Sequence, residues 1–113
     1  MKFSDSLKKN KDFDAVYRAG NSKANRDFVM YIKNNGKETN RLGISVSKKV
    51  GNSVVRHHLA RLIREAYRLH EEMFNSGLDI VVVVRPAAKE ISYDQTVKSL
   101  LHLANLHHIT INN

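Results

Sequence analysis

The stretch that most limits the fold is Leu78-Asp79-Ile80-Val81-Val82-Val83-Val84, bounded by Gly77 and Pro86. Four consecutive valines after an isoleucine favour extended backbone over helix. A surface strand alternates apolar and polar residues, but this one is apolar on both faces, so it reads as a strand in the middle of a sheet. The aliphatic run is also far too short to span a bilayer. With 113 residues in all, the chain has material for one core, and residues 1–113 are read as a single domain.

The remaining elements follow from periodicity and punctuation. Asn10 as N-cap, Gly20 as C-terminal stop and Phe13, Val16 and Tyr17 on one face predict a helix over 10–19. Residues 27–33 and 41–47 read as strands, the second alternating Leu42, Ile44 and Val46 with small or polar neighbours. The turn signal Asn34-Asn35-Gly36-Lys37 between them predicts a hairpin. Gly51-Asn52-Ser53 opens a helix over 53–74, and Ser92 with Gln95 forms a capping box for a last helix over 92–108, with Val97, Leu100, Leu101 and Ala104 inward. With a short strand near 21–25, the order is α-β-β-β-α-β-α. This is an α+β class sandwich with a small mixed sheet, in which 41–47, helix and 78–84 form a βαβ crossover with parallel pairing. Its default hand is right.

Charge then narrows the function. The formal net charge is +8, and cysteine is absent, which excludes disulfide scaffolds, thiol catalysis and Cys-based metal sites. The stretch Met1-Lys2-Phe3-Ser4-Asp5 has no apolar core for a secretion signal, so a cytoplasmic protein with no membrane partner is expected. Over 48–68, Lys48, Lys49, Arg56, Arg61, Arg64 and Arg68 stand against Glu65 alone. At about 100° per residue, Val55, Leu59, Leu62, Ala66, Leu69 and Met73 form an apolar stripe, and His57, Arg61, Arg64 and Arg68 form a second stripe on the opposite side. A merely solvated helix mixes signs, whereas this one repels itself unless a polyanion lies on it. The expected partner is nucleic acid, with Lys48 and Lys49 at the helix entrance.

Aromatic residues beside a basic face can stack on single-stranded bases. Phe13 and Tyr17 share one helix face, and Phe28 and Tyr31, three apart in a strand, point to opposite faces. The adjacent pairs His57-His58 and His107-His108 do not make a metal site, since neighbouring helical residues diverge and no carboxylate completes either pair. No phosphate-binding glycine loop, nucleophile elbow or paired carboxylates are present, so no catalytic residue and no metal ligand are assigned.

The segment from Ser45-Val46-Ser47-Lys48-Lys49-Val50-Gly51 through Arg56-His57-His58-Leu59-Ala60-Arg61-Leu62-Ile63-Arg64 resembles the signature of the protein component of bacterial ribonuclease P. That family carries a Ser-Val-Ser-Lys-Lys-like run, a glycine, and a helix of the form Arg-Asn-Arg-x-x-Lys-Arg-x-x-Arg. Lys8-Lys9-Asn10-Lys11-Asp12-Phe13 through Tyr17, Gly20, and Ala24-Asn25-Arg26 to Tyr31 are similar to the family's N-terminal half. Arg56, Arg61 and Arg64 stand where the family has arginine, while His57, His58 and Ala60 replace Asn, Arg and Lys. Histidine is mostly neutral at pH 7, so the departures imply a weaker or more pH-sensitive RNA contact than the family usually shows.

The resemblance implies a sandwich like the second domain of ribosomal protein S5, with a left-handed βαβ crossover. It implies an accessory subunit of endoribonuclease P that is inactive alone, the RNA performing hydrolysis with Mg2+ bound mainly through that RNA. The partners implied are ribonuclease P RNA and the 5′ leader of precursor tRNA, with no obligate protein partner. Lys48, Lys49, Arg56, His57, His58, Arg61, Arg64 and Arg68 would bind RNA, and Phe13, Tyr17 and Tyr31 would form the leader cleft. The alternative is a ribosomal-type or general RNA chaperone with no role in cleavage.

Overall fold

A computed structural model describes residues 4–111. Met1, Lys2 and Phe3, which begin the stretch read for a secretion signal, lie outside the described residues. The elements in chain order are β1 (Ser4–Ser6), α1 (Asn10–Ala19), β2 (Ser22–Ala24), β3 (Phe28–Asn34), β4 (Asn40–Ser45), α2 (Ser53–His70), β5 (Leu78–Val84) and α3 (Tyr93–Leu106), with 3-10 turns at Glu71–Met73 and Pro86–Ala88. The five strands form one mixed sheet in the order β1-β4-β5-β3-β2. The valine-rich strand is its middle member, parallel to β4 and antiparallel to β3.

That placement corrects the expected hairpin. Strands 27–33 and 41–47 do not pair with each other, because β5 lies between them. A β3–β4 hairpin would have pushed the most apolar strand toward an edge, exposing unpaired backbone beside aliphatic side chains. β1 is an addition to the expected order. It is three polar residues long, without hydrophobic patterning, and runs parallel to β4. Ser4 Oγ lies 2.8 Å from Tyr67 Oη and donates to Glu71 at 3.0 Å, which fastens the strand to the end of α2.

Alternation along the strands gives the sheet two unlike faces. Phe28, Met30 and Ile32 of β3, Leu42 of β4, and Ile80, Val82 and Val84 of β5 are buried beneath α2 and α3. Leu59, Ile63, Ala66 and Tyr67 of α2 and Leu100, Leu103 and Ala104 of α3 complete this core. The inward stripe of α2 is therefore turned from the expected one. Ile63 and Tyr67 are inside, whereas Leu69 and Met73 are 55% and 38% exposed. The helix ends at His70, and Met73 belongs to the following tight turn, so the stripe could not continue through it. On α3, Leu103, Thr96 and Ser99 are buried, and the expected Val97 and Leu101 are only half-buried.

The helix ends are set by local chemistry. Lys9, not Asn10, is the N-cap of α1, and Asn10 is the first helical residue. Gly20 closes α1 at φ 71°, a left-handed conformation that suits glycine. Asn52 caps α2 by accepting from the Val55 N–H at 3.0 Å. Ser92 accepts from Gln95 N–H at 3.1 Å, but the Gln95 side chain donates to Asp27 instead of returning, so only half of the capping box forms.

Candidate nucleic-acid interface

Helix α1 lies on the opposite face of the sheet, where Leu7, Val16 and Val81 form a small buried apolar cluster and Phe13, Tyr17, Tyr31 and Val83 are half-buried around them. Strand register builds the floor under the helix. Tyr31 pairs with Val81, and Val81 with Gly43, so one row across the sheet steps from a large side chain to none. Phe13 fills the step. A Cβ on Gly43 would fall 2.7 Å from the Phe13 ring, closer than two carbons pack, so glycine here is what lets the ring lie against the strand. Tyr17 meets Tyr31 edge to face, with ring centroids 4.9 Å apart, and Phe13 follows at 6.4 Å from Tyr17.

An ion-pair row one step along the strands holds the helix down. Arg41 donates to both Asp79 oxygens at 2.8 and 2.6 Å and reaches Asp12 of α1 at 3.4 Å. Burial alone would raise the Asp79 pKa, but the hydrogen bonds from Arg41 and Asn35 and the Arg41 charge outweigh it, leaving the carboxyl below its ordinary range.

Two grooves flank the end of β4. A groove of about 400 Å³ is lined by Asn10, Phe13, Asp14, Tyr17, Ile44 and Ser45. The other, about 320 Å³, is lined by Ile44, Val46, Arg56, His57, Ala60, Arg61 and Arg64. Ile44 borders both. The first collects Phe13 and Tyr17, while Tyr31 supports Tyr17 from outside the lining. The second collects four of the expected RNA-binding residues. His58 and the loop residues Lys48 and Lys49 are exposed beyond it. Arg68 also lies outside the groove and is paired with Glu65, whose carboxyl is lowered chiefly by that hydrogen bond. Asn10, Asp14, Ser45 and Val46 are not among the site residues expected from sequence; the seating of α1 and the register of β4 place them at the rims.

The histidine pairs do not converge. His57 and His58 are exposed, and His107 Nε2 donates to the Met30 carbonyl at 2.7 Å. Among the described residues, no three His, Asp or Glu side chains are grouped to hold a metal ion. Among them, too, no helix is long and apolar enough to cross a membrane.

This geometry has close counterparts. The profile of the family described as Ribonuclease P matches residues 1–107. A ribonuclease P protein component from Lachnoclostridium phytofermentans is 56% identical over 106 residues, spanning 94% of this chain and 91% of the relative. The solved RNase P protein of Staphylococcus aureus is 42% identical with a TM-score of 0.84, over 92% of this chain and 95% of that one. The RNase P protein from Thermotoga maritima is 30% identical with a TM-score of 0.83, over 90% and 96%. The resemblance carried by Ser45 through Arg64 thus extends over nearly the whole length in both sequence and fold, and the chain belongs to the ribonuclease P protein family.

Proposed function

We propose that this protein is the accessory subunit of a ribonuclease P ribonucleoprotein, assisting a catalytic RNA in removing the 5′ leader from precursor tRNA. One observation carries this reading: the end of β4 divides an aromatic groove from an arginine-lined one, with Ile44 on both rims. A single strand of RNA can stack on Phe13 and Tyr17 on one side, backed by Tyr31. Phosphates of the partner RNA can meet Arg56, His57, Arg61 and Arg64 on the other, with Lys48, Lys49 and His58 beside them. Arg68 contributes less, since Glu65 already answers its charge.

The protein then supplies binding and position, and hydrolysis belongs to the RNA. Magnesium is the implied metal, bound mainly through the RNA; among the described residues no three His, Asp or Glu side chains are grouped to hold a metal ion. A cytoplasmic location follows from the RNA partners.

The test is cleavage of a precursor tRNA at low Mg2+ by a bacterial ribonuclease P RNA, with and without this protein. Stimulation that depends on the leader is expected, together with no cleavage by the protein alone. Equal binding of precursor and mature tRNA without stimulation would instead identify an RNA chaperone. Cleavage by the protein alone would overturn the reading.

A further inference from the structure

We propose that a third groove, at the opposite edge of the sheet from β4, is a separate contact for an RNA phosphodiester. It measures about 290 Å³ and lies between the β2–β3 connection and α3, lined by Asn25, Arg26, Asp27, Gln95, Lys98, Ser99 and His102. Nothing in the aromatic or arginine-lined grooves uses these residues. The inference rests on the RNA-binding reading above only for the class of ligand.

Asn25 builds the site. Its Oδ1 accepts from the backbone N–H groups of Asp27 and Phe28 at 3.1 and 2.9 Å, which fixes which end of the amide is the donor. Its Nδ2 therefore points at α3, 3.1 Å from the Ser99 carbonyl and 3.2 Å from His102 Nδ1. An amide nitrogen only donates, so Nδ1 is the accepting nitrogen and Nε2 carries the proton of the neutral ring. The exposed edge of His102 is thus a donor. The Asn25 carbonyl also accepts from Arg85 at 3.0 Å, which brings a guanidinium to the same loop.

Charge at the groove is lopsided. Arg26 and Lys98 are exposed, and neither is in an ion pair among the described residues. The one carboxylate in the lining, Asp27, is 5% exposed, and its Oδ2 already accepts from Ser99 Oγ and Gln95 Nε2. Asp94, one turn before Lys98 on α3, is outside the lining. What faces outward is two free cations and an N–H donor, with the only acid turned inward. Such a set suits a dispersed anionic oxygen cluster such as a backbone phosphate, which needs several donors and no acceptor.

The experiment measures affinity against salt for full-length protein carrying Arg26→Gln and Lys98→Gln, singly and together. The probes are a precursor tRNA, the mature tRNA and a bacterial ribonuclease P RNA. Each lost phosphate contact lowers the slope of log K against log salt by about 0.7–0.9. We expect the double variant to lose about that much or up to twice it with at least one RNA, and Lys37→Gln, an exposed lysine in the β3–β4 turn, to lose less. Both lysines and Arg26 are surface residues, so unchanged melting verifies the fold. Arg61→Gln in the second groove serves as reference. If Arg61→Gln lowers the slope and the Arg26 and Lys98 variants match Lys37→Gln on every RNA, the third contact is overturned while the RNA reading stands. If Arg61→Gln also has no effect, the RNA reading itself fails.

Discussion

The two faces of the sheet are made from the same three strands, residue by alternate residue, yet they solve different problems. Beneath α2 and α3 the central rows are apolar, Ile32, Ile80 and Leu42, then Met30, Val82 and Ile44, and only at the end beside Leu78 do Asn34 and the buried Asn40 enter. Beneath α1 the rows change character along the strands. Lys33, Asp79 and Arg41 are charged, Tyr31, Val81 and Gly43 descend in size, and Val29, Val83 and Ser45 are small. The first face can be sealed by hydrophobic burial alone. The second cannot, so an ion-pair row clamps one end of α1 and leaves the aromatic end half-open. The half-buried aromatics proposed to bind the leader lie on the open face, while the arginine-lined groove is carried by α2, the helix that covers the sealed one.

Truncating the sealed face tests that division most severely. Leu103→Ala, at a fully buried position of α3, should cost about 2–5 kcal/mol in denaturant unfolding. Leader recognition by the molecules that remain folded should be unchanged. A loss below about 1 kcal/mol would mean the α3 layer is not part of the cooperative core. Gly43→Ala probes the open face with the opposite kind of change. The new methyl would meet the Phe13 ring, so the expected cost is about 1–3 kcal/mol, and Phe13→Leu in the same chain should recover part of it. If Gly43→Ala is neutral in both stability and leader affinity, Phe13 does not need the step in the floor.

The same contrast explains what could be read from the sequence. The sealed face was legible because its signals are periodic: a fully apolar strand for the centre, alternation in β3 and β4, and helical spacing in α2 and α3. Pairing partners were not. The Asn34-Asn35-Gly36 turn looks like a hairpin locally, and only the demand of β5 for two neighbours separates β3 from β4. The rotation of α2 is harder to read, because Met73 keeps the helical spacing past His70, where the helix ends, and draws the expected stripe toward Leu69, which is exposed, and away from Ile63 and Tyr67. β1 has no hydrophobic pattern at all; its attachment depends on Tyr67 and Glu71, more than sixty residues away. At the candidate site the basic helix and the aromatics were visible as residue types, and the family signature tied them together. That Ile44 separates them, and that Asn25 joins β3 to α3, are consequences of register and packing that no local motif carries.

A third prediction compares the half-open aromatics with the sealed core. Tyr17→Ala should weaken binding of leader-bearing precursor tRNA by about 1–3 kcal/mol, or about five- to 150-fold, relative to mature tRNA. Because Tyr17 is half-buried and shares its contacts with Tyr31, its effect on unfolding should be smaller than that of Leu103→Ala. Equal losses for precursor and mature tRNA would show that the groove does not read the leader, whatever the basic helix does.

The smallest expected effect separates the faces by pH. On the sealed side, burial lowers the His107 pKa, and the Lys23 charge adds to this, while the hydrogen bond to the Met30 carbonyl opposes it only in part. The folded state therefore holds the ring neutral to a lower pH than the unfolded chain does. Between the ordinary histidine pKa, about 6.5, and the lower folded value, the unfolded state binds more protons, so stability falls as pH drops through that window and is fully present above it. On the open side, Asp79 is also lowered, by Arg41 and Asn35 against the cost of burial, so its contribution is intact above about pH 4 and is lost only below it. One proton gives at most about 1.4 kcal/mol per pH unit, and the half-buried His107 ring gives less. Unfolding free energies from pH 7.5 to 5 should therefore decline in the native chain and flatten in His107→Asn, whereas Asp79→Asn should lower stability throughout that range without changing the slope. Parallel curves for the native chain and His107→Asn would remove His107 from the account. A steeper slope in Asp79→Asn would mean that the two faces titrate as one unit rather than two.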